Sequence, residues 1–477
     1  MRHQKELHPM PGPSSDNITN TPVAQALLKI SAPMSLGILG VLLIGLADAY
    51  FLARVGETEL AAIGFVYPVI VAISAFSIGM SAGANAVFSQ AIGREASPED
   101  VAKMTFHATG FGAALGVTIA ILFVLVAPWL FSVLGARGAV LDAVLVYVIW
   151  WAASLPFLVV TMILEAAFKA AGDGATPSAS MAFTAVLNVA LTPIFVFGWG
   201  PVAGFGMAGA GVATLIARAA VGLWILWLVT RQGRIKIFGS KGPKLRESIG
   251  EITSVGLSAA ASNAINPAGM AVVTAAVATV GDQAVAGFGA AVRVQSVTIV
   301  PFLALAAGLA PVVGQAWGAE LPDRARKALG LGTRFAVIYG LVAGLALWAF
   351  AGPLAQVMTA SGAAADYTAQ YLRVVGWSLA GYGLVLAANS ALTARSRASW
   401  ALGLSLTQIG LFYVPLAWAG VSLFGYTGVL AAAVIANAMG AWLALSAAQM
   451  NGLLVVRRRF LRVPAAVMRR LATPFLG

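Results

Sequence analysis

The apolar positions of this chain form long unbroken runs, not an alternating pattern. Twelve runs stand out, at roughly 28–53, 61–86, 104–133, 143–170, 178–199, 207–230, 250–277, 284–315, 330–354, 367–394, 400–424 and 428–452. Each is long enough to cross about 30 Å of hydrocarbon as a helix. The strands of a spanning β-barrel would alternate lipid-facing and lumen-facing residues, and these runs do not. The pattern therefore predicts an all-α integral membrane protein with twelve transmembrane helices.

The pattern also repeats. Gly56-Glu57-Thr58-Glu59-Leu60-Ala61-Ala62-Ile63-Gly64 matches Gly281-Asp282-Gln283-Ala284-Val285-Ala286-Gly287-Phe288-Gly289, 225 residues on. Gln90-Ala91-Ile92-Gly93 matches Gln315-Ala316-Trp317-Gly318, and Gly138, Asp142 and Tyr147 match Gly362, Asp366 and Tyr371. At a shorter offset, Gly209 to Arg218 matches Gly428 to Asn437. The expected architecture is two pseudo-symmetric six-helix bundles. Six is even, so both enter the membrane in the same sense, and the pseudo-two-fold axis lies along its normal. The expected boundaries are a disordered tail at 1–22, a first lobe at 23–231, a basic linker at 232–248, a second lobe at 249–453 and a basic tail at 454–477. A duplicated apolar chain is the usual plan of a transporter with its substrate path between the halves.

Composition agrees. Sixty per cent of the residues are hydrophobic and 10% are charged, against about 25% charged in soluble domains. The net charge of +12 suggests nucleic acid until its distribution is seen. With the N-terminus inside, 24 of the 29 basic residues fall on the cytoplasmic side. Only Arg54 and Arg137 fall outside, and Arg218, Arg293 and Arg373 lie within spans. This asymmetry predicts a multi-pass protein of the cytoplasmic (inner) membrane with both termini in the cytoplasm. Membrane lipid, not nucleic acid, is then the partner of the basic surplus. There is no signal peptide, and the absence of cysteine excludes disulfides and thiolate metal sites. No Gly-Lys-Ser or Gly-Lys-Thr closes a phosphate loop, so an ion gradient is the expected energy source. No His, Asp and Glu cluster suggests an enzyme, and no cofactor or metal is expected.

Chemistry inside the membrane is confined to a few side chains. Asp48 lies about 9 Å of helical rise inside Arg54. A carboxyl group there loses hydration and can take up a proton on one side and release it on the other. The plainer alternatives are a structural hydrogen bond or a pair with Arg54. Glu165 precedes Lys169 by four residues, the favourable order for an ion pair. Arg218, near the middle of helix six, must face a cavity or find acceptors, with Asp48 or Glu165 as candidate partners. Asn188 and Thr192 share a helix face, and Pro193 frees a backbone carbonyl beside them. Tyr147, Trp150 and Trp151 line a cavity or form an interfacial aromatic belt.

These residues carry a resemblance. Asp48-Ala49-Tyr50-Phe51-Leu52-Ala53-Arg54-Val55-Gly56, Leu60 to Gly64, Gln90 to Gly93, Lys169 to Pro177 and Val313 to Ala319 resemble segments of the multidrug and toxic compound extrusion (MATE) transporters, more their DinF-like branch than the NorM-like one. The resemblance covers about residues 20–455. It implies a V-shaped outward-open cleft, alternating access, and efflux of organic compounds driven by inward H⁺ or Na⁺. It also implies that Asp48 is the cation-coupling aspartate, with Tyr147 and Asn188 as partners. A second aspartate of that site falls here at Thr192, which disfavours Na⁺ and leaves H⁺. Thr214, Arg218, Trp150 and Arg293 are the expected substrate-cavity residues. The function expected is a monomeric H⁺-coupled antiporter exporting amphipathic or cationic organic compounds. The alternative is a flippase for lipid-linked saccharides, which the arginines within the spans would suit.

Overall fold

The computed structural model describes residues 18–235, 243–359 and 362–455. The first lobe comprises α1 (Val23–Ala53), α2 (Glu57–Gly93), α3 (Pro98–Val133), α4 (Gly138–Ala153), α5 (Leu155–Ala170), α6 (Ala175–Phe197) and α7 (Met207–Arg231). A two-stranded hairpin, Gly198–Trp199 with Val202–Ala203, joins α6 to α7. The second lobe comprises α8 (Leu245–Ala278), α9 (Asp282–Thr298), α10 (Val300–Gly318), α11 (Pro322–Ala349), α12 (Ala351–Met358), α13 (Gly362–Val375), α14 (Leu379–Ala394), α15 (Ala398–Ser405), α16 (Val414–Phe424) and α17 (Tyr426–Met450).

Among the described residues, ten stretches are long and apolar enough to cross a membrane, and the bent pair α4–α5 makes an eleventh. The long helix α8, diluted by polar and small residues, completes twelve. Five of the expected spans are not single helices, 330–354 among them, which breaks at Phe350 between α11 and α12. The stretch 143–170 bends by 41° at Ser154, 284–315 breaks at Ile299, and 367–394 breaks at Gly376–Ser378. The stretch 400–424 carries a π-helical segment at Leu406–Tyr413. Proline explains three of these. Pro156, Pro301 and Pro415 each sit in the first turn of the following piece, where the missing N–H does no harm but the preceding helix cannot continue.

Residues 18–22, expected within a disordered tail, are folded instead. Ile18 is buried, and Arg324 on α11 donates to the carbonyls of Ile18 and Thr21. The helix α8 begins at Leu245, inside the expected linker. Residues 1–17, 236–242 and 456–477, expected in the tails and the linker, lie outside the described residues.

Among the described residues, the hydrogen bonds and close backbone approaches between the lobes gather towards one end of the bundle, the face bearing Arg94, Lys103, Lys169, Arg324 and Lys327. On α2 and α8, Gly79 abuts the Ala260 backbone and Gly83 the Gly256 backbone. On α1 and α10, Gly308 abuts Ser31 and Leu27. Nearest this basic face the contacts are reciprocal. Gln90 Nε2 of α2 donates to Ala394 O at the end of α14 (2.7 Å) and to Ser396 Oγ (2.9 Å). Gln315 Nε2 of α10 donates to Ala170 O at the end of α5 (2.7 Å). Each glutamine thus satisfies a terminal carbonyl that its own helix leaves unpaired. The backbones meet without side chains between them. A Cβ on Gly93 would lie 2.1 Å from Gln315 O, and one on Gly318 would lie 2.3 Å from Gln90 O. Towards the far face the lobes diverge. Glu57, Ala61, Gly64 and Pro68 of α2 are there, with Gly64 and Pro68 exposed. A cleft therefore opens to the far face.

Candidate functional site

Inside the first lobe, α1, α4, α6 and α7 bring one polar node together. Asp48 is buried on α1. Thr192 of α6 donates to Asp48 Oδ1 (3.3 Å) and also lies 2.8 Å from Asn188 O, one turn back on its own helix. Pro193 has no N–H, so Val189 O loses its helical donor beside this pair. Asn188 Nδ2 donates to Thr214 Oγ1 of α7 (3.1 Å), and Thr214 donates to Ala210 O (3.0 Å). Asn188 Oδ1 is buried and has no hydrogen-bond partner. Tyr147 of α4 is buried next to Thr214, within the fields of Asp48 and Arg218.

Arg218 finds acceptors that sequence reasoning missed. Its Nη1 donates to Ser154 Oγ (2.8 Å), and Ser154 donates to Trp151 O (2.6 Å). The guanidinium lies 5.1 Å from the centroid of the Trp151 ring, a cation–π contact. Neither Asp48 nor Glu165 pairs with it directly, although its field reaches Asp48. The bend between α4 and α5 places Ser154, and Pro156 two residues later was the signal for it. Gly211 permits the approach of α7 to α4, since a Cβ there would lie 2.8 Å from Trp150 Cβ.

Six of the eight sequence-predicted residues, Asp48, Asn188, Tyr147, Thr192, Thr214 and Arg218, thus gather in one node. Two do not. Trp150 packs its Cβ against Gly211 of α7 but leaves its ring exposed, and its neighbour Trp151 meets the Arg218 guanidinium instead. Arg293 lies in the second lobe, on an exposed face of α9. Arg54 stacks on Tyr50 at 4.5 Å, and Glu165 has Lys169 as its electrostatic partner near the basic face.

The second lobe repeats the node without its charges. Asn437, the match of Arg218, donates to Ser378 Oγ (2.8 Å), and Ser378 donates to Val375 O (2.8 Å). Ser378 and Val375 stand 224 residues after Ser154 and Trp151. Gln408, in the π-helical segment, donates to Asn437 Oδ1 (3.1 Å) as Asn188 does to Thr214. In the place of Asp48, 225 residues on, stands the fully buried Val273. Among the described residues, a buried carboxyl group and a guanidinium are therefore features of the first lobe's node and have no counterpart in the second.

Known proteins resemble this chain over most of its length. The MatE family model matches residues 33–194 and again 259–419, so the chain contains the family unit twice. A FAD transporter of Shewanella oneidensis is 30% identical over 427 residues, covering 88% of this chain and 93% of that protein. The multidrug export protein MepA of Staphylococcus aureus is 23% identical over 427 residues, covering 89% and 93%. Among solved structures, the Vibrio cholerae MATE transporter VcmN in the bent form has a TM-score of 0.85 at 26% identity, covering 90% of this chain and 97% of that one. An outward-facing multidrug resistance MATE transporter gives 0.85 at 25% identity, covering 90% and 96%.

Proposed function

Because this chain belongs to the MATE family of membrane transporters, we propose that it is a proton-coupled exporter in which Asp48 is the coupling group. The observation that carries this is the unfinished hydrogen bonding around Asp48. An ionised Asp48 accepts from Thr192, while Asn188 Oδ1 waits buried without a donor. A protonated Asp48 has an O–H to give, and Asn188 Oδ1 is the node's free acceptor. Loading a proton thus rewrites the links between α1 and α6 and removes the negative charge that offsets Arg218. The first lobe then favours a different packing against the second, and the cleft passes from one face to the other.

One carboxyl group beside a guanidinium suits a proton better than Na⁺, which needs several anionic or carbonyl oxygens and no neighbouring cation. The basic face is the cytoplasmic one on this reading, so the described state is open outward. An inward proton gains about 2.3 kcal/mol per 100 mV of membrane potential.

The cargo is an amphipathic organic compound. A cationic cargo would meet Arg218 in the node and Arg293 across the cleft. A second cargo reading, a flavin-type anion, is favoured by these two arginines and by the relative named a FAD transporter. The family match favours extrusion over the lipid-linked saccharide flippase.

The test is transport in proteoliposomes with H⁺ and Na⁺ gradients imposed separately. The wild type responds to the pH gradient, and D48N loses that response. Full gradient-driven transport by D48N would end the proposal.

A further inference from the structure

We propose that Arg293 recognises an anionic group of the cargo, so that the substrate class is amphipathic organic anions bearing a phosphate or carboxylate. The proposal rests on the export reading only for the direction of movement.

The exposed positions of α9 are Asp282, Gln283, Ala286, Gly289, Arg293 and Val297, and all but Gln283 form one stripe with a spacing of three or four residues. A lipid-facing stripe is built of large apolar side chains, whereas this one is mostly small and polar. A Cβ on Gly289 would meet nothing within 4 Å, as at Gly64, its match on the cleft side of α2. Arg293 lies eleven residues inside Asp282, about 16 Å of helical rise. At that depth an exposed guanidinium facing hydrocarbon is very costly, so the stripe faces the water of the open cleft.

Among the described elements packed most closely against α9, none brings a carboxylate to the level of the guanidinium. Of the elements packed against α9, α10 and α12 carry no acid, α8 carries Glu247 and Glu251 in its first two turns at the basic face, and α13 carries Asp366 at its far end. In the first lobe the matching position is Pro68. The charge therefore belongs to the second lobe's wall alone, across the cleft from Asp48. An anion held there does not compete with the proton for one group. The coupling between them is conformational, through the rocking of the lobes.

Arg293 offers a planar fork of donors that matches a phosphate or carboxylate in two-point contact. Flavin mononucleotide and riboflavin share one ring system and differ by a phosphate, so their affinity ratio isolates this contact. Binding is measured by quenching of flavin fluorescence on the purified protein in nanodiscs, with no gradient. The wild type is expected to bind the mononucleotide at least tenfold more tightly than riboflavin. R293Q is expected to bring the ratio close to one, and R293K to keep part of it. The proposal is overturned if R293Q leaves the ratio at its wild-type value, or if it weakens both flavins equally, as a gating or purely structural arginine would. It is overturned equally if the wild type does not distinguish the two. Failure of gradient-driven transport with the ratio intact would sink the export reading and leave the anion site standing.

Discussion

The closest backbone approach between the lobes is the place to break the closed basic face. Gly93→Ala adds a Cβ that would lie 2.1 Å from Gln315 O, and ordinary contact begins near 3.4 Å. The end of α2 must therefore move from the end of α10 by more than 1 Å. Carbonyl oxygens fixed in helices cannot rotate aside as a side chain would. The same movement stretches the Gln315 bond to Ala170 O, 2.7 Å in the closed arrangement. Each such bond contributes about 1 kcal/mol net, and the two glutamine contacts close the same end. Losing both shifts a two-state equilibrium roughly thirtyfold towards opening of the basic face, at 1.4 kcal/mol per factor of ten. The chain has no cysteine, so Glu99→Cys and Lys327→Cys give one spin label on each lobe. Pulsed electron resonance should show one short distance in the parent and a longer population with Gly93→Ala. Gln315→Ala removes only the bond and should produce a smaller shift in the same direction. Unchanged distance distributions in both variants would refute the claim that these contacts hold the face shut.

Two further perturbations probe the node. Ser154→Ala removes the acceptor of a charged hydrogen bond and should cost about 1.5–3 kcal/mol, whereas Ser378→Ala removes the neutral counterpart and should cost about 1 kcal/mol; thermal unfolding in detergent would contradict this if the order were reversed. Gly211→Val pushes α7 off Trp150 and Tyr147 and should cost about 1–3 kcal/mol through overpacking. It should also lower proton-driven transport more than substrate binding, and the opposite pattern would count against a node that serves coupling.

What was legible in the sequence was whatever follows from position along one helix or from repetition. Asn188 and Thr192 share a face because they are four apart, and Asp48 stood out as a carboxyl group within an apolar run, about 9 Å of helical rise inside Arg54. The duplication foretold the two lobes, and the paired Gln-x-x-Gly segments proved to be the reciprocal closure between them. What failed to show depended on rotation or on distant contact. Trp150 and Trp151 differ by one residue, about 100° around α4, and only packing against α7 decides which ring meets Arg218. The partner of Arg218 was sought among acids, since a charge calls for a countercharge. The fold instead supplies a serine at a helix bend, 64 residues away, and an aromatic face. This choice has a consequence for coupling. A direct ion pair would hold Asp48 ionised and make each protonation break a buried salt bridge, at a cost of several kcal/mol. With Arg218 already satisfied by Ser154 and Trp151, the proposed protonation of Asp48 would work against a background field and not against a bond. The lobes' shared serine device thus has a different use on each side. In the second lobe it fixes an amide among neutral groups, and in the first it keeps a cation near Asp48 without an ion pair between them.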